Sequence, residues 1–336
     1  PRLIGADNAI DLICSGRSIR PKDALAMGLV DSLLDLNVPT PFHKLSCDEV
    51  SDLVEGSIPA LEIELEQRRS QKCSPLKLNI IESMMTFKLA KAMISKKAGK
   101  NYPAPLKALS VIESCRKMFR DEALEAEKSA FCELVKTSTS KNLIEIFFGE
   151  RKLKATSQKL ASRVDMPKSV GVLGAGTMGA GIALCLANKA NLPVILYDIS
   201  EKQLNAARDS AKSYLNDKAS KGYITSEEVD RVLSHIRITT DIDEATSIPE
   251  LIIEAVPEVV DLKRDLVYNC DSSKFVATNT STFKVDDIAG YPNFGGMHFF
   301  NPVSKMPLVE IVAGEYTSEE TIGVLCKVAL AMGKTP

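Results

Sequence analysis

The chain has 336 residues, 45% of them hydrophobic, and its 42 basic residues nearly balance 44 acidic ones for a net charge of −2. That length suggests about two domains rather than one core. The near-neutral charge argues against nucleic acid or an anionic membrane as a partner, and no apolar run approaches the roughly eighteen residues of a transmembrane segment.

Residues 1–36 read as helical, with Gly16 and Pro21 as punctuation, and residues 23–31 are expected to end one helix and enter a short strand. The N-terminus has no signal-peptide pattern. Because the chain begins at Pro1 and stops at Pro336, where another strand is due, it is expected to be a piece of a longer protein. Residues 37–75 are polar, carry Pro39, Pro41 and Pro59, and suit a surface connection with one helix near 60–69. From 76 to 97 apolar residues recur at helical spacing: Leu78, Ile81, Met85, Leu89 and Ala92. That predicts one buried face, with Met84, Met85 and Met93 filling core gaps. Residues 102–105 break the pattern, and helices are expected over 105–117, 121–136 and 141–151.

From Lys168 strand and helix alternate, with strands expected at 169–173, 194–197, 236–239, 251–256, 275–278, 294–297 and 308–312. Such alternation predicts an α/β fold with a mostly parallel, doubly wound Rossmann-type sheet, whose ligand crevice lies at the carboxyl ends of the strands. Eight scattered cysteines form no C-x-x-C pair, which predicts reduced thiols in an intracellular, reducing compartment. With only three histidines, no metal site is expected.

The first of these strands runs into Gly174-Ala175-Gly176-Thr177-Met178-Gly179, a G-x-G-x-x-G turn opening a helix, and Asp198 follows at the end of the second strand. Gly174 allows the tight turn, Gly176 lets the backbone approach a pyrophosphate, and Gly179 lets the helix pack on the strand. A carboxylate at Asp198 accepts from an unmodified ribose and repels a 2′-phosphate, which favours NAD over NADP. An ordinary glycine turn is the plainer alternative, and the strand, helix and acid at the right spacing weigh against it.

A proton acceptor is also needed, and His298, just after the strand at 294–297, is the attractive base because imidazole titrates near neutral pH. A structural histidine is the alternative. Glu310 sits in the apolar strand Leu308-Val309-Glu310-Ile311-Val312, where it either needs a partner such as His298 or lies on a solvated face. Ser281, in Asn279-Thr280-Ser281-Thr282, either bonds a substrate oxygen or makes a turn. Glu258 and Lys263 follow the strand at 251–256, close to the path of a cofactor, or else start a solvated helix.

Together G-A-G-T-M-G, N-T-S-T, and G-M-H-F-F-N-P-V with M-P-L-V-E-I-V resemble the NAD-binding domain of L-3-hydroxyacyl-CoA dehydrogenases. Residues 1–9 and the turn Gly28-Leu29-Val30-Asp31 resemble the end of a crotonase-type hydratase domain, and residues 98–105 resemble its linker. The whole chain thus resembles the middle of the α subunit of the bacterial fatty-acid oxidation complex. The resemblance implies a hydratase remnant over 1–45, a helical linker region over 46–166 and the NAD-binding domain over 167–336. It implies NAD-dependent oxidation of L-3-hydroxyacyl-CoA to 3-ketoacyl-CoA in fatty-acid β-oxidation, by a cytoplasmic parent protein that also hydrates 2-enoyl-CoA and assembles with a 3-ketoacyl-CoA thiolase. By motif, His298 would be the catalytic base, Glu310 its partner and Ser281 a contact to substrate and cofactor. Met178, Asp198, Val256, Pro257, Glu258, Lys263 and Asn301 would line the NAD site.

This sequence departs from the pattern in a short loop between Ser281 and His298 and in Pro257, where an aliphatic residue is usual. The family's hydratase glutamates would lie before Pro1, and its helical dehydrogenase domain after Pro336. An incomplete acyl-CoA pocket and poor turnover by the piece alone follow from that. The alternatives are an NAD-binding scaffold module that joins hydratase and thiolase without its own turnover, and another Rossmann dehydrogenase of sugars or hydroxy acids.

Overall fold

A computed structural model describes residues 1–30, Leu33 and residues 80–336. The expectations for residues 37–75, the helix at 60–69, the boundary at residue 45 and the side chains of Leu78, Ile81 and Met84 lie outside the described residues. Contacts divide the chain into two compact units, Pro1–Ile146 and Phe147–Pro336.

The first unit is helical: α1 (Ala6–Ser15), α2 (Pro21–Ala26), α3 (Ile80–Ala98), α4 (Pro103–Ser114), α5 (Arg120–Val135) and the start of α6 (Ser138–Ala161). Gly16 ends α1 in the left-handed conformation, with φ 64°. Pro21 and Pro103 each occupy a first helical turn, where the missing N–H costs nothing. Thus Pro103 starts α4 rather than merely breaking the helix before it. The strand expected after Gly28 is absent from the described part: residues 28–30 form a turn and bends.

The buried face of α3 is not the expected one. Phe87 is 2% exposed and packs with Ala6, Ile10 and Leu109, and Ala90 and Ile94 continue its stripe. Met85 and Met93 are 60% and 72% exposed, and Leu89 and Ala92 are exposed with them. This helix is apolar on two opposite sides, so its period identifies a helix without saying which side faces the core. The aromatic side, which removes the most area from water per residue, is the one buried. Helix α6 runs ten residues beyond its expected end at 151, because nothing between 152 and 161 breaks it.

The second unit is built on seven strands: β1 (Val170–Leu173), β2 (Val194–Tyr197), β3 (Ile236–Thr239), β4 (Leu251–Glu254), β5 (Phe275–Thr278), β6 (Phe294–Phe299) and β7 (Val309–Val312). Their spatial order is β3-β2-β1-β4-β5-β6-β7. All neighbours pair parallel except β6 and β7, which are antiparallel. This is the Rossmann-type order, with the chain reversing direction across the sheet at β1.

Helices cover both faces, and the period-two alternation of each strand feeds two cores. Val170, Val172, Leu251, Ile253, Met297 and Phe299 enter one. Leu173, Ile195, Ile252, Val276 and Phe294 enter the other. Helix α7 (Thr177–Cys185) follows β1, α8 (Glu201–Ser220) and α9 (Ser226–Ser234) follow β2, α10 (Ile242–Ser247) follows β3, α11 (Val260–Tyr268) follows β4, α12 (Val285–Ile288) follows β5, and α13 (Glu319–Ala331) follows β7. No helix among the described residues is long and apolar enough to cross a membrane.

Candidate active site

The loops after β1, β2, β4, β5 and β6 all leave the same edge of the sheet. After β1, Gly174 has φ 103°, and a Cβ there would stand 2.7 Å from the Ala255 carbonyl oxygen. At Gly179 a Cβ would stand 1.8 Å from the Gly174 oxygen. Protein packing therefore demands glycine at both positions. Gly176 differs: it is exposed, has φ −67° as the N-cap of α7, and a Cβ there would meet nothing within 4 Å. The protein leaves that place open beside the free N–H groups of a helix start, which is the shape a pyrophosphate needs.

A testable contrast follows. Gly179→Ala is expected to destabilise by about 3 kcal/mol or more through overpacking, read as a lower melting temperature. Gly176→Ala is expected to melt within a degree or two of the parent, because it lies in open space, yet to lose NADH binding in a titration. Unchanged NADH affinity in Gly176→Ala would remove the pyrophosphate from this loop.

Asp198 lies half-buried where β2 ends. One of its carboxylate oxygens accepts from the Ala175 N–H at 2.8 Å and the other from the Ser200 N–H at 2.9 Å. The same group that could hold a ribose thus ties the glycine loop to β2, and each oxygen retains a further lone pair. Met178 is half-buried in α7 against the core. Among the described residues no cluster of His, Cys, Asp and Glu could hold a metal.

His298 lies within β6 rather than after it, because antiparallel pairing with β7 prolongs the strand to Phe299. Its cross-strand partner is Glu310. Directly opposed residues share one face of a sheet, and Nδ1 of His298 stands 2.7 Å from Oε2 of Glu310. The carboxylate has no proton to give, so the contact puts hydrogen on Nδ1 and leaves Nε2 as an acceptor. The ring packs at 4.7 Å on Phe300. Glu310 is 52% exposed, so register, not a burial penalty, brings the two side chains together. Glu310 is therefore half-exposed and in contact with His298 at the same time.

After β5, the Asn279 side-chain oxygen accepts from the Phe299 N–H at 2.9 Å and joins the ends of β5 and β6. Thr280 forms the turn, accepting from the N–H groups of Thr282 and Phe283. Ser281 is exposed; its N–H donates to Glu258 at 3.0 Å and its hydroxyl lies 3.5 Å from that of Thr282. After β4, Val256 is half-buried and Pro257 exposed, and Asn301 is exposed in the loop after β6.

Glu258 faces this edge. Burial alone would raise its carboxyl pKa, but hydrogen bonds from the Ser281 N–H and the Thr280 hydroxyl, with the nearby Lys263 charge, outweigh that and lower it. Lys263 itself lies beneath the cleft wall, fully buried. Its ammonium donates to both oxygens of Glu254, at 2.8 and 3.1 Å, and to the Val256 carbonyl at 3.3 Å. Glu254 is also fully buried, and its carboxylate takes further bonds from the Val256 N–H at 2.7 Å and the Thr278 hydroxyl at 2.6 Å. The motif reading missed Glu254. A charge ending the apolar run Leu251-Ile252-Ile253 is the signal that could have found it.

This sheet order, glycine loop and terminal acid on β2 define a dinucleotide-binding domain, with a histidine–glutamate pair at the same edge. Residues 169–336, half of the chain, match the family model for the NAD-binding domain of 3-hydroxyacyl-CoA dehydrogenase. The chain therefore belongs to the 3-hydroxyacyl-CoA dehydrogenase family, and its cofactor is NAD.

Similar solved structures include 3-hydroxybutyryl-CoA dehydrogenase from Escherichia coli K12, 36% identical over 51% of this chain and 37% of that one, with a TM-score of 0.48. Another is (S)-3-hydroxybutyryl-CoA dehydrogenase PaaH1 from Ralstonia eutropha, 31% identical over 51% and 62% of the two chains, TM-score 0.48. The dehydrogenase part of multifunctional enzyme 1 from C. elegans is 27% identical over 52% and 41%, TM-score 0.45. The chain thus spans between 37% and 62% of the length of these relatives.

Proposed function

We propose that this chain carries the NAD-binding half of an enzyme that oxidises L-3-hydroxyacyl-CoA to 3-ketoacyl-CoA, with His298 as base and Glu310 as its orienting partner. The observation that carries this reading is the 2.7 Å contact between Nδ1 of His298 and Oε2 of Glu310, at the sheet edge that also bears the glycine loop. Nε2 of His298 takes the hydroxyl proton of the substrate, and Glu310 steadies the imidazolium that results. Bound NAD supplies the acceptor for the hydride that leaves the same carbon. Ser281, exposed beside this edge, hydrogen-bonds substrate or cofactor.

Gly174, Gly176 and Gly179 shape the pyrophosphate cradle, with Met178 in the helix behind it. Asp198 would hold the adenosine ribose, which would leave the nicotinamide half to the residues after β4, β5 and β6. Val256, Pro257, Glu258 and Asn301 border that half, and Lys263 supports it from below. Asp198→Ala is expected to weaken NADH binding about tenfold to a hundredfold, the range for hydrogen bonds to a charged group. Titration by fluorescence reads this directly, and undiminished affinity would remove Asp198 from the site.

The wider reading extends the family membership to a bifunctional protein of fatty-acid β-oxidation that also hydrates 2-enoyl-CoA and meets a thiolase subunit in a bacterial cytoplasm. It divides the chain into a hydratase remnant over 1–45, a helical linker region over 46–166 and the NAD-binding domain over 167–336. It is supported by the segments at residues 1–9, 28–31 and 98–105 that resemble a crotonase-type domain and its linker. In the longer parent protein that this reading implies, NADH formation from 3-hydroxybutyryl-CoA tests the dehydrogenase, and hydration of crotonyl-CoA tests the second activity.

A further inference from the structure

We infer that Glu254 is a positioning residue of the cofactor site: through Lys263 it holds the Glu258 carboxylate and the Thr280–Ser281 turn against the nicotinamide half of the cleft. The inference rests on the functional reading above and adds a residue that no motif in it contains.

The argument is one of connected bonds. Glu254 ends β4 with neither carboxylate oxygen in contact with water, and four donated bonds satisfy it: two from Lys263, one from Thr278 and one from Val256. Lys263 projects from the first turn of α11 and is equally buried. Two buried opposite charges with complete hydrogen bonding are rigid, because any departure leaves a charge unpaired in a poorly polarisable interior.

The ammonium of Lys263 stands 3.5 Å from Oε2 of Glu258. Glu258 in turn accepts from the Thr280 hydroxyl at 3.0 Å and the Ser281 N–H at 3.0 Å. A single line of charge-assisted contacts thus runs from the interior of β4 and β5 to the exposed Ser281. It continues along the sheet edge, since Asn279, next to Thr280, accepts from Phe299 beside His298. Loops rarely hold a reactive geometry unaided, and an anchored second layer supplies what they lack. The buried pair is that layer here.

The test uses the whole chain and needs no turnover. Glu254→Gln alone leaves the Lys263 ammonium facing a group that cannot balance it and is expected to destabilise strongly. The paired change Glu254→Gln with Lys263→Met removes both charges and is expected to melt near the parent temperature. In that paired variant the Ser281 amide is expected to exchange hydrogen about tenfold faster by NMR, with Ile253 unchanged, and NADH to bind about tenfold more weakly.

Adding Glu258→Gln to the pair is expected to weaken NADH binding no further, because residues acting through one another are not additive. A purely architectural role predicts additive losses instead, and that result overturns the inference. So does an unchanged Ser281 exchange rate or an unchanged NADH affinity in the folded pair. Thr278→Val removes one donor to Glu254 while keeping the ion pair, and it is expected to shift both readouts about threefold in the same direction. It decides the matter by the same criteria if the paired variant fails to fold. A parent chain that binds no NADH overturns the functional reading, whereas faster Ser281 exchange in the variant still supports the tether.

Discussion

Replacing His298 by glutamine in the longer parent protein is expected to lower kcat for NADH formation from 3-hydroxybutyryl-CoA by about two to four orders of magnitude, the usual contribution of a positioned general base. Glutamine is close to histidine in size and can still donate a hydrogen bond to Glu310, so the β6–β7 ladder should survive. What it lacks is a nitrogen that accepts a proton near neutral pH. NADH affinity should therefore change little, because the glycine loop and Asp198 lie on other strands. Glu310→Gln should cost less, since the base remains and only the stabilisation of the imidazolium and the choice of tautomer are lost. Steady-state rates alongside NADH titration separate these outcomes. A His298→Gln enzyme with parental kcat would end the assignment of the base.

The second large effect concerns stability. Lys263→Met on its own is expected to destabilise the second unit by roughly 3–5 kcal/mol, because it leaves the fully buried Glu254 carboxyl without its counter-charge. For a unit of this size that corresponds to a fall in melting temperature of roughly 10 °C or more. The companion change Glu254→Gln should recover most of the loss, since two neutral side chains of similar volume leave no buried charge. Thermal melts of the two singles and the double form a cycle whose coupling energy is the quantity of interest. Additive singles would mean that the two charges are balanced by something other than each other.

Much of the second unit is legible locally. The glycine turn, the apolar runs of four residues and the acid at the end of β2 each follow from neighbours in the chain, and β2, β3 and β5 form where alternation places them. Alternation predicts a strand over 294–297, two residues short of the observed end at Phe299, because that end depends on a partner strand that one segment does not reveal. In the first unit the period of α3 is equally clear, yet Phe87 rather than Met85 faces inward. A helix that is apolar on two sides gives no local reason to prefer either. For the carboxylates, the same argument about an acid in an apolar strand pointed to Glu310, which is half-exposed, and passed over Glu254, which is not exposed at all.

By itself the order of residues determined a parallel, helix-covered sheet with a nucleotide loop at its carboxyl edge, because turn chemistry and hydrophobic period act over a few residues at a time. The meeting of His298 with Glu310 was decided only by tertiary structure. It requires the register in which Met297 lies opposite Ile311 and Phe299 opposite Val309, and a slip of one residue would turn one member of the pair to the other face. The Glu254–Lys263 pair likewise forms only when α11 docks on β4 and closes water out, since burial is a property of the packed unit and of no segment within it.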